Sequence, residues 1–171
     1  PQPWNTLLMP QAGSQDSDWL YVERPMFDKN DKYFGTRLRR INTVTGKGEI
    51  ASEPDVEVSS FMLDAKGEPR LALSNTDLQR TIYYRDETTD KWRELASYEI
   101  YKNLGSEIKP IGFGRDGTLY VIARAGDDLA TLRTLDLANG TVSKEALVAT
   151  AGYDFAGELV QNEKMLGVRF T

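Results

Sequence analysis

Two turn-forming phrases recur along this chain, and their spacing leaves few architectures open. In the first, an apolar residue opens, Asn or Asp follows, and a turn closes eight residues after the start. The copies run Leu38 to Gly46 in LRRINTVTG, Ile82 to Asp90 in IYYRDETTD and Leu132 to Gly140 in LRTLDLANG. The closing positions lie 44 residues apart from Gly46 to Asp90 and 50 apart from Asp90 to Gly140. The second phrase runs out of phase with the first. LDAKGEPRLAL and FGRDGTLYVI each place a polar turn ahead of an apolar run, and Gly67 and Gly117 are 50 residues apart. SQDSDWLYVER and LVQNEKMLGVRF keep the same rhythm without the glycine. Asp-Gly and Asn-Gly pairs mark hairpins because such turns need positive φ. A repeat of this length is the size of one blade of a β-propeller.

Strands read between the turns come in fours. The first unit, residues 1–53, takes strands near 4–9, 18–24, 36–43 and 47–52; the second, 54–100, takes 55–63, 68–74, 80–86 and 91–98. The third, 101–150, takes 107–113, 118–124, 130–137 and 141–148, and residues 151–171 open a further unit with 154–160 and 164–170. Fourteen strands are expected. The fold class is all-β, an incomplete β-propeller of about three and a half four-stranded antiparallel blades. Second strands such as Leu119 to Ala123 and Leu166 to Phe170 are apolar with little alternation, which predicts cover on both faces. Third strands carry more charge, as suits the rim. One stretch conflicts: Trp92, Leu95, Ala96 and Ile100 fit a helical stripe, while the register of the repeat demands a strand at 91–98.

Composition removes whole classes of chemistry. The 171 residues are 40% apolar, enough for a folded core. Histidine and cysteine are absent, so no Ser-His-Asp or Cys-His relay, disulfide or thiolate metal site can be built. AGSQD and LGSEI lack the second glycine of a nucleophile elbow. A net charge of -5 argues against nucleic acid or an anionic membrane as partner. No apolar run is long enough to span a bilayer, and the start lacks a signal peptide's pattern, so a soluble piece is expected. The opening at Pro1 without an initiator Met suggests a processed or cut product. Compartment stays open, with a periplasmic or secreted setting ranked ahead of a cytoplasmic one.

Each candidate site has a plainer explanation. Asp28, Asn30 and Asp31 resemble the start of a calcium loop, but the glycine at the sixth place and the Glu at the twelfth are missing. Asp127 and Asp128 are neighbours and so point apart on a strand, which suits turn residues better than a catalytic pair. TGKGE around Lys47 lacks the rest of a phosphate loop. Arg37, Arg39 and Arg40 read as a solvated outer strand. Asn139, Gly140 and Thr141 fit a glycosylation acceptor that the hairpin already explains. Trp4, Trp19 and Trp92 read as packing residues. No catalytic, cofactor-binding or metal-binding residue is assigned.

Taken in order, PRLAL, TIYYRDETTDKWRELASYEI, IKPIGFGRDGTLYVIARAGDDLATLRTLDLANGTV and YDFAGELVQNEKMLGVRF resemble the N-terminal β-propeller of bacterial serine peptidases of the prolyl oligopeptidase family. The likeness covers residues 36–171 and is poor over the first 35. It implies a noncatalytic part. In that family a propeller of seven or eight blades sits over an α/β-hydrolase domain and admits peptides rather than folded proteins. The partners implied are that hydrolase domain, its peptide substrates and, for an open arc, a second copy completing the ring. The alternative from the residues alone is a stand-alone interaction module; a small carboxylate-dependent hydrolase ranks behind both.

Overall fold

The computed structural model describes residues 6–10, 17–101, 105–161 and 166–170. Among them there is no helix, and thirteen strands form four antiparallel sheets. The first sheet is β1 (Leu7–Leu8), β2 (Trp19–Phe27), β3 (Tyr33–Asn42) and β4 (Gly48–Ile50), in that order. The second is β5 (Ser60–Leu63), β6 (Pro69–Asn75), β7 (Gln79–Arg85) and β8 (Trp92–Glu99). The third is β9 (Ile108–Phe113), β10 (Leu119–Ala123) and β11 (Thr131–Leu135), and the fourth is β12 (Gly157–Gln161) with β13 (Leu166–Phe170). Each sheet is an up-and-down meander, after which the chain crosses back from its last strand to begin the next.

The repeated turns explain the repeated sheets. After β3, β7 and β11 the same bonds recur: Gly46 N donates to Asn42 O at 2.8 Å, Asp90 N to Asp86 O at 2.9 Å, and Gly140 N to Asp136 O at 2.8 Å. The Asn or Asp side chain accepts the next free amides, with Asn42 Oδ1 taking Thr45 N and Asp86 Oδ1 taking Thr89 N, each at 2.8 Å. The closing residue is left-handed in every copy, at φ 70° for Gly46, 59° for Asp90 and 73° for Gly140. Asp90 takes this conformation despite its Cβ, as Asp does more readily than bulkier residues.

The sheets pack in chain order. Tyr21 and Leu38 of the first meet Phe61, Leu63 and Ala72 of the second in one apolar cluster. Leu71, Ile82, Tyr84 and Leu95 on the second sheet's other face meet Phe113, Leu119, Val121 and Leu135 of the third. Leu71 and Ala72 are adjacent and both fully buried, one in each cluster, because successive side chains of a strand alternate. The fourth sheet seats on the third where Leu159 lies over Gly112; a Cβ at Gly112 would stand 3.0 Å from Leu159 Cδ1. Strand order and packing therefore repeat together.

Two expectations are corrected. The strand expected at 141–148 is not formed: only isolated bridges pair Leu135 with Val142 and Leu132 with Val148. The cause is Arg133, whose side chain is 1% exposed and takes Ser143 O at 2.9 Å and Lys144 O as acceptors, turning the backbone there away from a ladder. Leu166 to Phe170 is not covered on both faces either, since Phe170 is 57% exposed. The stretch 91–98, with its helical stripe, is strand β8: its ladder with β7 outweighs the local period, with one irregularity between Ile82 and Tyr83. The start of the first expected strand, Trp4, the turn around Ser14 and residues 164–165 lie outside the described residues.

Candidate functional site

The innermost strands of all four sheets meet at one place. Met9 beyond β1, Phe61 and Leu63 of β5, Phe113 of β9 and Leu159 of β12 line a shared cavity of about 400 Å³. β5 and β9 reach it alike, each running into a tight turn in which Gly67 N donates to Asp64 O, or Gly117 N to Gly114 O, at 3.0 Å. The walls are apolar. The only ionisable residue lining it is Asp64, and its carboxylate is already engaged. Oδ2 accepts Arg70 Nε at 2.6 Å, while Oδ1 accepts Lys66 N at 2.8 Å and Glu68 N at 2.9 Å. The cavity can therefore seat an apolar group, and it offers no free base or nucleophile to it.

Behind this cavity the first two sheets are joined by carboxyl groups. Tyr21 donates its hydroxyl to Glu68 Oε2 at 3.0 Å; burial and then the Glu68 charge push the phenol up to about 12. Glu23 Oε1 accepts Phe61 N at 2.6 Å, and burial raises its carboxyl above the ordinary value while this bond opposes the rise. Trp92 Nε1 donates to Ser52 Oγ at 3.0 Å, and the Trp92 ring stands edge-on to Phe61. These contacts fix the angle between the two sheets and so the width of the cavity.

The structure separates the residues singled out in the sequence. Asp28 caps the β2–β3 hairpin: its Oδ1 accepts Asn30 N at 2.8 Å and Lys32 N at 3.0 Å, and Asp31 is the left-handed residue of that turn. Asp127 pairs with Arg133, and Asp128 is exposed beside it. Lys47 follows the Asn42–Gly46 turn, whose Asn42 N donates to Lys47 O at 2.8 Å. Arg37 pairs with Glu53 and Arg40 with Glu49, and the Arg40 guanidinium lies 4.8 Å from the Trp19 ring centre. Arg39 donates to Gly48 O at 3.4 Å. Asn139 Oδ1 accepts Thr141 N at 2.9 Å within its hairpin. Among the described residues no group of three or more acidic, His or Cys side chains is placed to hold a metal.

Sequence reasoning missed the cavity itself. The signal was present as an apolar residue directly ahead of a repeated turn, Leu63 before Asp64 and Phe113 before Gly114, but the convergence of four such strand ends is a property of packing. Compared with known families, curated proteins and solved structures, the chain has no match.

Proposed function

We propose that the chain is an arc of a β-propeller, about three and a half blades long, and that it serves as the noncatalytic, substrate-gating segment of a serine peptidase of the prolyl oligopeptidase family. The observation that supports this most directly is that four successive meanders pack in order and bring their first strands to one apolar cavity. Radial packing of blades produces that arrangement, and a sandwich of two sheets does not. The partner under this reading is an α/β-hydrolase domain, and the molecules admitted are peptides. The chain itself contributes shape and exclusion, consistent with its lack of histidine and cysteine.

The reading frame beyond Thr171 tests the proposal. A G-x-S-x-G elbow followed by a late histidine is expected there. A stop codon would favour a free-standing interaction module instead. That second reading has its own support in the first sheet, where Leu8 is 67% exposed and Ile50 66%, apolar surface of the kind that seeks a partner. A second copy closing the ring would cover the same surface, and light scattering that finds only monomer argues against that arrangement.

A further inference from the structure

We infer that the outer edge of β13 and the outer half of the third sheet's face together receive a β-hairpin from a partner polypeptide. The inference rests on the repeating units of the proposed arc, and three observations carry it.

The first is strand number. The first two sheets hold four strands each, while among the described residues the fourth holds β12 and β13 alone, so one side of β13 has no ladder. An unpaired edge offers amide and carbonyl groups in register for another strand.

The second is how outer hairpins seat elsewhere in this chain. The β7–β8 hairpin lies on the first sheet through the bond from Trp92 Nε1 to Ser52 Oγ. The hairpin after β11 lies on the second sheet, where Leu137 O accepts the Arg93 guanidinium and Gly140 packs directly on the Leu95 carbonyl. No described hairpin does this for the third sheet.

The third is what stands in that place: an open groove of about 570 Å³ lined by Thr118, Thr134, Thr141 and Ser143. Thr118 and Thr134 flank the pair Leu119 and Leu135, and Tyr120, opposite Thr134, also pairs with Gly112. By alternation these groove residues share the face on which Gly112 meets Leu159. The groove thus continues outward the surface that already holds the fourth sheet.

The occupant follows from these features. It is a strand–turn–strand unit closed by an Asx turn with a left-handed Gly or Asp, as in the chain's own outer hairpins, with polar side chains toward the threonine and serine hydroxyls. Pairing of β13 with β13 of a second copy does not satisfy the geometry. The two-fold axis of such a pair is perpendicular to the sheet, so both third sheets would fall on one side of it and compete for the groove.

A synthetic peptide carrying residues 79 to 99, the β7–β8 hairpin, supplies the probe, with a scrambled peptide as control. Hydrogen exchange on the full chain with excess peptide should slow roughly tenfold or more at 166–170 and 141–148. Thr134→Arg, which fills the groove, should abolish the slowing while melting stays unchanged; if that variant folds poorly, Thr141→Arg at the exposed rim replaces it. No slowing, or slowing equal with the scrambled peptide or in the groove variant, overturns the inference. Protection of 166–170 that grows with protein concentration without peptide also overturns it, in favour of a second copy. A stop codon after Thr171 would defeat the peptidase reading and leave this result unaffected.

Discussion

The second sheet is held on both sides, and its two faces are built from different materials. Toward the third sheet it presents Leu71, Ile82, Tyr84 and Leu95, which meet Phe113, Leu119, Val121 and Leu135 in an apolar contact. Toward the first sheet it presents Phe61, Leu63 and Ala72, but that contact also contains Tyr21 bonded to Glu68 and Glu23 bonded to the Phe61 amide. One junction depends on area removed from water, which has no direction and little response to pH. The other depends partly on oriented groups that titrate. The same strand serves both because Leu71 and Ala72 are neighbours that point apart.

Truncating the apolar junction should have the largest effect. Ile82 is fully buried, and Ile82→Ala should cost about 3 kcal/mol through lost transfer energy and the cavity left behind. Urea unfolding is the measurement; a loss below about 1 kcal/mol would mean that the two sheets are not packed as described. The next effect separates two glycines that the sequence presents as equivalent. Gly140 has φ 73°, and a Cβ there would fall on the Leu95 carbonyl oxygen of the neighbouring sheet, whereas Gly117 has φ 83° and open space around it. Gly117→Val should therefore cost roughly 1 kcal/mol from backbone strain alone, and Gly140→Val about 2 to 3 kcal/mol. Equal losses would show that the hairpin does not rest on β8.

That contrast marks how far the sequence could be read. The turns were legible because left-handed positions demand Gly, Asn or Asp at fixed offsets, so the strands between them were placed with small errors, and the all-β class followed. Asp90 was recognisable as the counterpart of Gly46 and Gly140 from spacing alone. What the sequence did not carry was contact between units. Nothing in LRTLDLANG announces that Arg133 would take two carbonyls and unmake the expected strand at 141–148. Nor does any phrase declare that Phe61, Phe113 and Leu159, each ordinary within its own strand, line one cavity. Long-range packing has no local signature of the kind a turn has, and the same is true of Glu23, which reads as one more exposed acid of an outer strand.

The titrating junction yields the smaller predictions. Tyr21→Phe removes a hydroxyl whose acceptor, Glu68, remains in water, so about 1 kcal/mol is expected from the lost bond. The phenol's value of about 12 lies above its ordinary 10.0, so the stability it contributes is present below pH 10 and is lost as the pH rises toward 12. Stability measured over that range should fall in the wild type more steeply than in the Phe variant; parallel curves would mean that Tyr21 ionises as freely folded as unfolded.

Glu23 carries the finest test of the difference between the two faces. Its carboxyl is raised above 4.5 because burial penalises the charged form more than the Phe61 amide favours it. A group raised in the folded state contributes stability that is present below its unfolded value and is lost as the pH climbs through the folded one. At neutral pH the wild type therefore holds an unfavourable buried charge. Glu23→Gln keeps an oxygen to accept the Phe61 amide and carries no charge, so it should be the more stable protein at neutral pH, by less than about 1 kcal/mol. The advantage should shrink as the pH falls through the window just above 4.5, because protonation then removes the wild-type charge as well. Asp86 and Asp116, whose exposed carboxyls are lowered by bonds from Thr89 and Thr118, act with the opposite sign but equally in both proteins, so the difference between the two urea curves isolates Glu23. A Gln variant less stable at neutral pH would mean that the charge strengthens the bond to Phe61 by more than its burial costs. Ionisation would then tighten the contact between the first two sheets, instead of loosening it as the raised value requires.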